Sequence, residues 1–546
     1  MLLTAVVIAA AMLAGLAPSA GAAASYVPIS GSGSTWSSNA QDQWRRNVAG
    51  LYQMTVNFSP NGSTSGRNDF RAGLVDYAVS EIPYGLSDGG VLDPNPTRAF
   101  GYMPIVAGGT SFMYNLHIGN KRVTNLRLSG ETVTKIFTQV ITSWSDPAIQ
   151  ADNPGLTLPA RTIVPVVYSN GSGTSAQFTA WMANQYPALW DAYCHRNGKN
   201  LTPCGFTSFY PLGPGMQAKS QSEGVSGFVS QATSEGAITY VEYSYARNAQ
   251  FPVAKILNKA NYYVEPTAGN VAVALLNAKI HPDLTQDLTQ VYVDSDPRAY
   301  PMSSYSYMII PKDISPAGHF DVDKGRTLSD FAAYFLCEGQ QQAITLGYSP
   351  LPINLVQAGV NQANQIPGST KKLDPNNLAH CNNPTVSPNG GNLVAESAPQ
   401  PSACDKLGVT QCTVGTGGAI ATTPTSAGSP ATHGGAATST TGDSANTASG
   451  STSAAADSGG AASADATIPG GVPAAATDPA TGQTIGGSAT SGSGSSDVAA
   501  LPVSVDAADN RRQMVLAILA SVLLLALVLG PPLVARTMRS RDGPQA

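Results

Sequence analysis

One strand–loop–helix unit constrains the fold of this chain more than any other feature. It lies at Thr162 to Trp181 (TIVPVVYSNGSGTSAQFTAW). The β-branched and apolar run up to Tyr168 predicts a strand, the small polar residues Ser169 to Gly173 predict a tight loop, and the apolar residues that follow recur at helical spacing. Such a junction directs backbone N–H groups and the positive end of a helix dipole at one spot, which suits an anion. For an isolated loop the alternative is a glycine turn followed by an ordinary helix cap.

The same unit occurs twice more near the start of the chain. Gly31 to Trp36 (GSGSTW) follows a short extended run, and Asn61 to Arg67 (NGSTSGR) follows Met54 to Phe58. Each loop opens a helix with apolar residues on one face, among them Leu51 in the first helix and Leu74 in the second. In an open α/β sheet such loops gather at the carboxyl ends of the strands, where ligands bind. Three loops together therefore favour an anion site over three unrelated caps.

Further ordered segments carry a resemblance to a known family. They are LSGETVTKIFTQVITSWSDPAIQADNPG (Leu128 to Gly155), GAITYVEYSYA (Gly236 to Ala246), YPMSSYSYMIIP (Tyr300 to Pro311) and LGYSPLP (Leu346 to Pro352). With the three loops, they make the chain resemble the phosphate-binding protein of the high-affinity phosphate ABC transporter from Tyr26 to about Gln357. The resemblance implies a type II periplasmic-binding-protein-like α/β fold with two lobes and a ligand cleft between them. Size alone also favours two lobes, because about 330 residues exceed one comfortable core.

The resemblance also implies a set of ligand contacts. In that family phosphate is held by loop amides and hydroxyls, one carboxylate and an arginine–aspartate pair. The matching hydroxyl and amide donors in this chain are Thr35, Trp36, Ser63, Ser172, Gly173 and Thr174. Ser34 and Arg67 are further candidates, and the alternative for Arg67 is an arginine on a helix surface.

The carboxylate falls at Glu81, where the family has an aspartate after a serine. An ionised carboxylate can only accept hydrogen bonds, so it favours a protonated phosphate and repels fully ionised sulfate. The extra methylene of glutamate moves the oxygen or requires the loop to adjust. The alternative is a solvated glutamate at a strand end.

The largest departure from the family lies in the central loop. Tyr168 and Asn170 stand where the family has the arginine and the aspartate, so both members of a charge pair are replaced. Replacing both can be nearly neutral for stability, whereas removing one partner would leave an unpaired buried charge. Neither residue reproduces a bidentate cationic clamp, and its loss costs about 1.5 to 3 kcal/mol, or roughly 10 to 100-fold in affinity.

Composition and motifs limit the other function classes. The net charge of −5 and the charged fraction of 12% argue against a nucleic-acid binder, which needs a basic surface. No cofactor motif, metal-ligand spacing or Gly-x-Ser-x-Gly elbow is present, so we expect no cofactor, no metal and no enzymatic activity. The leading hypothesis is a monomeric receptor that binds inorganic phosphate and delivers it to an ABC-importer permease. The alternative is a surface sensor or interaction protein with the same fold and an altered or lost ligand site.

The six cysteines fall as sequence neighbours. Because the count is even in a chain expected to be exported, disulfides are favoured. We predict the sequential pairs, Cys194 with Cys204, Cys337 with Cys381 and Cys404 with Cys412, although other pairings remain open. A zinc site is the weaker alternative.

Composition also divides the chain along its length. Residues 1–24 read as a signal peptide, with an apolar run followed by small residues. The two-lobed domain is expected over residues 25–400, and a linker of mostly Ala, Gly, Ser and Thr over 401–510, too polar and small-sided to fold. Residues 511–536 predict a transmembrane helix, and 537–546 a short cytoplasmic tail with arginines. This order predicts an exported domain anchored at the cell surface.

Overall fold

A computed structural model describes residues 26–315, 319–370, 372–378, 381–385 and 391–419, together with two short strands further on. The chain divides into two compact units, Met1–Gly435 and Ala436–Ala546. In the second unit, Ala476–Thr477 pairs antiparallel with Thr484–Ile485. The predicted signal peptide, transmembrane helix and cytoplasmic tail, and most of the predicted linker, lie outside the described residues. Among the helices that are described, none has the length and apolar character needed to cross a membrane.

The first unit is an α/β domain. Its strands are β1 (Ile29–Gly33), β2 (Val56–Ser59), β3 (Tyr77–Ser80), β4 (Ser87–Asp88), β5 (Val91–Leu92), β6 (Phe100–Tyr114), β7 (His117–Ile118), β8 (Lys121–Arg122), β9 (Arg127–Leu128), β10 (Val164–Tyr168), β11 (Gln217–Lys219), β12 (Ala237–Glu242), β13 (Val253–Leu257), β14 (Tyr263–Val264), β15 (Lys279–Ile280), β16 (Gln286–Asp287) and β17 (Ser303–Pro311). Its helices are α1 (Ser38–Tyr52), α2 (Ser63–Arg71), α3 (Gly130–Phe137), α4 (Pro147–Asp152), α5 (Gly173–Gln185), α6 (Pro187–Arg196), α7 (Gln221–Val229), α8 (Tyr243–Asn248), α9 (Ala268–Ala274), α10 (Val322–Leu336), α11 (Ala343–Leu346), α12 (Ile353–Ala363) and α13 (Leu393–Glu396). Short 3-10 turns lie at Leu275–Asn277, Glu338–Gln342 and Ala403–Asp405.

The long strand β6 joins two lobes. Its first part pairs antiparallel with β17, and its last residues, from Thr110, pair antiparallel with β12. The main path of the sheet runs β11-β10-β12-β6-β17-β3-β1-β2. Lobe 1 has a hydrophobic core around Trp44, Phe335 and Ile309. Lobe 2 has a separate core around Phe112, Trp190 and Tyr240. The expected two-lobed periplasmic-binding-protein-like fold is therefore present.

Parallel strands bring the predicted loops together. In lobe 1, β1 lies between β2 and β3 and is parallel to both. In lobe 2, β10 lies between β11 and β12 and is parallel to both. The loops that follow β1, β2, β3 and β10 therefore leave the sheets at carboxyl ends, as the strand–loop–helix pattern predicted.

Some helix faces differ from the periodicity. Trp44 and Val48 of α1 are buried as expected, but Leu51 is 66% exposed because it lies in the last turn, past the core. Leu74 is 73% exposed because α2 ends at Arg71, before the residue that the pattern assigned to its apolar face. Both errors concern helix ends, where periodicity alone places boundaries least well.

The predicted disulfide pairs are confirmed. Cys194 bonds Cys204, Cys337 bonds Cys381, and Cys404 bonds Cys412. Because all of these thiols are oxidised, the zinc alternative is wrong for them, and the described residues contain no cluster of potential metal ligands. The third disulfide lies beyond residue 400, in a segment that packs on lobe 2. The predicted domain boundary at residue 400 is thus too early, since the described fold continues to Ala419.

Candidate functional site

The cleft between the lobes contains a buried carboxylate, Glu81, directly after β3. Its side chain is 0% exposed, so the alternative of a solvated glutamate is wrong. Oε2 accepts hydrogen bonds from the hydroxyls of Ser34, at 2.6 Å, and Ser63, at 2.9 Å. Oε1 accepts one from the hydroxyl of Ser306, at 2.8 Å. Glu81 therefore occupies the centre of a ring of hydroxyl donors.

Burial and hydrogen bonding act on Glu81 in opposite directions. Burial raises the pKa of its carboxyl above the usual value, because desolvation disfavours the charged form. The three serine hydroxyls oppose this shift, and Arg67 opposes it through its charge. The pKa of Glu81 is therefore raised, while the three hydroxyl donors stabilise its ionised form.

The second lobe adds a backbone amide to this ring. The N–H of Gly173, the first residue of α5, donates to Ser63 Oγ at 3.0 Å across the cleft. A Cβ atom at Gly173 would lie 2.0 Å from Glu81 Oε2, so only glycine permits this approach. Ser172 caps α5 by accepting from the N–H of Ser175 at 3.3 Å. The predicted capping role and the predicted anion-facing amide are therefore adjacent in one loop.

A second hydroxyl cluster lies beside the first. Thr35 Oγ1 is 2.6 Å from Ser222 Oγ, and Tyr168 OH is 3.1 Å from the same atom. Burial raises the pKa of Tyr168 by more than the hydrogen bonds of Ser222 and Thr174 lower it. The phenol therefore stays protonated at neutral pH. The N–H of Trp36 donates to Ser34 Oγ at 3.1 Å and links the two clusters.

Two candidate residues lie outside these clusters. Asn170 uses Oδ1 to accept from the N–H of Gln221, at 2.9 Å, and so holds the start of α7. Arg67 donates to Asp93, at 2.5 Å, and to Ser80, at 2.8 Å. It is 1% exposed, so it is not a helix-surface arginine. Because these hydrogen bonds are to Asp93 and Ser80, the side chains that donate to Glu81 are neutral hydroxyls.

Further contacts hold the lobes together at the cleft mouth. The β4–β5 hairpin of lobe 1 reaches lobe 2, where Asp88 accepts from both the N–H and the hydroxyl of Ser208 and the N–H of Gly89 donates to the carbonyl of Phe206 at 3.0 Å. The side-chain amide of Gln177 donates to the carbonyl of Glu81 at 2.7 Å. The cleft is closed by hydrogen bonds between the lobes themselves.

Two contributors were not identified from sequence. Ser306 lies on β17, within a segment used only for the family resemblance, and no local signal sets it apart from its neighbours. Ser222 lies in the first turn of α7, which follows β11 after the single residue Ser220. That is a fourth strand–loop–helix unit with hydroxyls at the helix start, so the pattern that found the other three loops could have found it.

Comparisons with known proteins agree with this geometry. The sequence profile of the PBP superfamily domain matches residues 18–338. The phosphate-binding protein PstS of Xylella fastidiosa strain Temecula1 is 30% identical over 333 residues, which cover 61% of this chain and 83% of that protein. PstS2 of Mycobacterium bovis BCG is 31% identical over 333 residues, covering 59% and 82%.

Solved structures give weaker similarity. A high affinity periplasmic phosphate-binding protein, PfluDING, aligns with a TM-score of 0.46 and 18% identity over 64% of this chain and 100% of that chain. A phosphate-binding protein from Stenotrophomonas maltophilia gives a TM-score of 0.45 and 17% identity over 64% and 100%. The profile match and the similarity to the PstS relatives are the decisive findings. The chain therefore belongs to the PBP superfamily, and its two-lobed part is a substrate-binding domain like that of the PstS proteins.

Proposed function

We propose that this protein binds inorganic phosphate between its lobes and delivers it to the permease of an ABC importer. The observation that supports this most is the buried carboxylate of Glu81 among hydroxyl donors of lobe 1, with the Gly173 amide of lobe 2 beside them. The matching relatives are phosphate-binding proteins by name. The ligand contacts proposed are the hydroxyls and amides of both clusters together with Glu81.

The donors and the acceptor have different tasks in this proposal. When the lobes separate, the Gly173 amide leaves Ser63 and the Thr35 hydroxyl leaves Ser222, so both become free to donate to phosphate oxygens. Glu81 accepts a hydrogen bond from the P–OH group that phosphate carries at neutral pH, whereas fully ionised sulfate has no O–H group to donate. Neutral donors give weaker anion contacts than a guanidinium, so the affinity should lie about 10 to 100-fold below that of a site with an arginine clamp.

A second candidate function rests on the closed cleft. The hydroxyls of Ser34, Ser63 and Ser306 already donate to Glu81 within lobe 1. The Gly173 amide of lobe 2 donates to Ser63, so the two lobes meet directly at the ring of donors. A surface sensor or interaction protein with an altered or lost ligand would have this arrangement as its resting state. In that case, deletion of the gene would leave phosphate uptake unchanged, whereas a receptor for an importer would be needed for uptake at low phosphate.

Calorimetry separates these functions. Residues 26–419 contain both cores and all three disulfides, so they are unfolded without reductant, freed of bound ligand and refolded. We expect heat on titration with phosphate and none with sulfate. No heat with phosphate at millimolar concentration would refute the proposed function and favour the alternative.

We also propose a location for the domain. The apolar run from Met514 to Gly530 and the low-complexity residues before it support a C-terminal membrane anchor on a long linker. We expect the full-length protein to sediment with membranes and to be cut by protease added to intact cells, while a version that ends at residue 510 is released. A full-length protein that stays soluble after cell lysis would contradict the anchor.

Binding without turnover is expected, so hydrolysis of a chromogenic phosphate ester should stay at background.

A further inference from the structure

A C-terminal segment, residues 391–419, joins the two lobes a third time. We call it the strap. Its first part packs on lobe 1, where Val394 and Ala395 are buried in the core. Arg298 donates to the carbonyls of Ala395, at 3.2 Å, and Ala398, at 3.3 Å. The strap lies beyond the residues that match the family profile, which end at 338.

The second part of the strap is fixed to lobe 2. Lys255 of β13 forms an ion pair with Asp405, at 2.8 Å, and both groups are largely buried. The guanidinium of Arg127 donates to the carbonyls of Cys404, at 3.0 Å, and Val409, at 2.8 Å. The Cys404–Cys412 disulfide closes this loop around its contacts. Hydrogen bonds from a charged donor are stronger than those between neutral groups, so this anchor is firm.

The strap ends at the hinge. The chain passes between the lobes within β6 and again between β14 and α9, where Glu265 lies. Glu265 Oε1 accepts from the N–H of Gly417 at 2.7 Å. The strap therefore ends beside an existing crossing between the lobes.

The crossing of the strap itself is short and stiff. Between Ala398 on lobe 1 and Ala403 on lobe 2 the sequence is Pro399-Gln400-Pro401-Ser402. Two prolines in four residues favour an extended backbone with little freedom to lengthen or fold back. Rotation of one lobe against the other would therefore pull on the buried packing of Val394 to Ala398 in lobe 1 or on the Lys255 and Arg127 contacts in lobe 2.

We propose that the strap restrains rotation of the lobes about the hinge. It holds the lobes in the closed arrangement and sets how often the cleft opens. This inference does not depend on which ligand the cleft takes. It requires only that the crossing transmits lobe rotation to its two anchors.

The test lengthens the crossing and leaves both anchors in place. About six Gly and Ser residues are inserted between Gln400 and Pro401 of the full-length chain, which gives the strap slack. Hydrogen exchange is followed at two buried amides that bond across the cleft, Gly173 to Ser63 Oγ and Ser222 to Thr35 Oγ1. We expect both to exchange about tenfold faster, because amides protected by closure exchange through opening.

The control receives the same insertion between Gly119 and Asn120, in the exposed β7–β8 turn of lobe 2. It should leave exchange at both cleft amides unchanged. A second variant, Asp405→Asn, weakens the lobe 2 anchor and should accelerate the same amides to a smaller extent. Amides of β6, such as Phe112, report on the integrity of the cores.

Two results would overturn the proposal. Unchanged exchange at Gly173 and Ser222 in the variant with the longer crossing would mean that the strap does not restrain opening. Faster exchange at Phe112 to the same extent would mean that the strap stabilises the fold as a whole and has no specific effect on the hinge.

Discussion

Glu81→Gln is the substitution that tests the site most directly. Glutamine keeps the shape of the side chain and one accepting oxygen, but it removes the negative charge and introduces an N–H₂ donor. The negative charge of Glu81 should repel sulfate, and its carboxylate should accept a hydrogen bond from the P–OH group of phosphate. We therefore expect the variant to lose its preference for phosphate over sulfate.

The magnitude follows from the distances around Glu81. Its oxygens lie 2.6 to 2.9 Å from hydroxyls that would also hold the ligand, so an anion in the ring would lie about 4 Å away. At an effective dielectric constant of about 20, two unit charges at 4 Å repel by up to about 4 kcal/mol. The raised pKa of Glu81 reduces this repulsion, so we expect sulfate affinity to rise by at least about tenfold, or 1.4 kcal/mol.

Phosphate should respond differently. It gains from the removal of repulsion, but the acceptor for its proton changes from a charged to a neutral oxygen, and the hydrogen bond falls from about 1.5 to 3 kcal/mol to about 0.5 to 1.5 kcal/mol. These effects offset one another, so the phosphate-to-sulfate affinity ratio should fall by about tenfold or more. Titration calorimetry with both anions measures the ratio, and Glu235→Gln, which removes a charge beside His117 in lobe 2, is the control. An unchanged ratio in Glu81→Gln would refute the assignment of Glu81 to the ligand site.

Three further predictions follow from single contacts. Tyr168→Phe removes the hydrogen bond to Ser222 and should lower the unfolding free energy by about 0.5 to 1.5 kcal/mol in urea. Replacing Cys404 and Cys412 by serine opens a short loop and should cost about 2 to 3 kcal/mol by the same measurement. Burial raises the pKa of Glu242 well above its usual 4.5, so the folded chain binds more protons than the unfolded chain between the two values. Its stabilising contribution is therefore present below 4.5 and lost as pH rises through the folded pKa, and Glu242→Gln should flatten the fall in stability that begins as pH rises above 4.5.

Each of these has an outcome that would contradict it. If Tyr168→Phe is as stable as the parent chain, the Tyr168 hydroxyl gains no more from Ser222 in the folded chain than from water in the unfolded chain. The serine variant should lose the contacts of the strap before the rest of the domain, so unfolding unchanged from the parent chain would count against the anchor. A pH profile of Glu242→Gln that matches the parent would assign the proton uptake to other buried carboxyls, such as Glu265, whose pKa burial also raises.

The sequence predicted the loops better than their partners. Ser34, Ser63 and Gly173 are found by a local rule, because a strand, a glycine-rich loop and a helix start are contiguous in the chain. Ser306 meets Glu81 only because β17 pairs with β3, a contact between residues 225 positions apart. Local patterns carry no information on such pairing, so the complete set of donors required the structure.

The strap shows a different limit of sequence reasoning. Its residues are mostly small, with many Gly, Ala, Ser and Thr, a composition typical of linkers, and a domain boundary was predicted at residue 400. The segment is ordered because Arg127 and Arg298 donate to its carbonyls and because Lys255 pairs with the side chain of Asp405. Carbonyl groups that accept hydrogen bonds look alike in every sequence, so this order left no compositional trace.

The strap and Glu81 should affect ligand binding in separable ways. If the unliganded chain is mostly closed and phosphate enters through the open form, slack in the strap destabilises the closed form with and without ligand equally. Association and dissociation rates should then rise by the same factor, about tenfold, while the dissociation constant stays fixed. Stopped-flow tryptophan fluorescence can follow both rates, because Trp36 is buried beside the cleft. A weaker equilibrium affinity with unchanged rates of entry would instead mean that the strap shapes the site itself, and the hinge role would have to be abandoned.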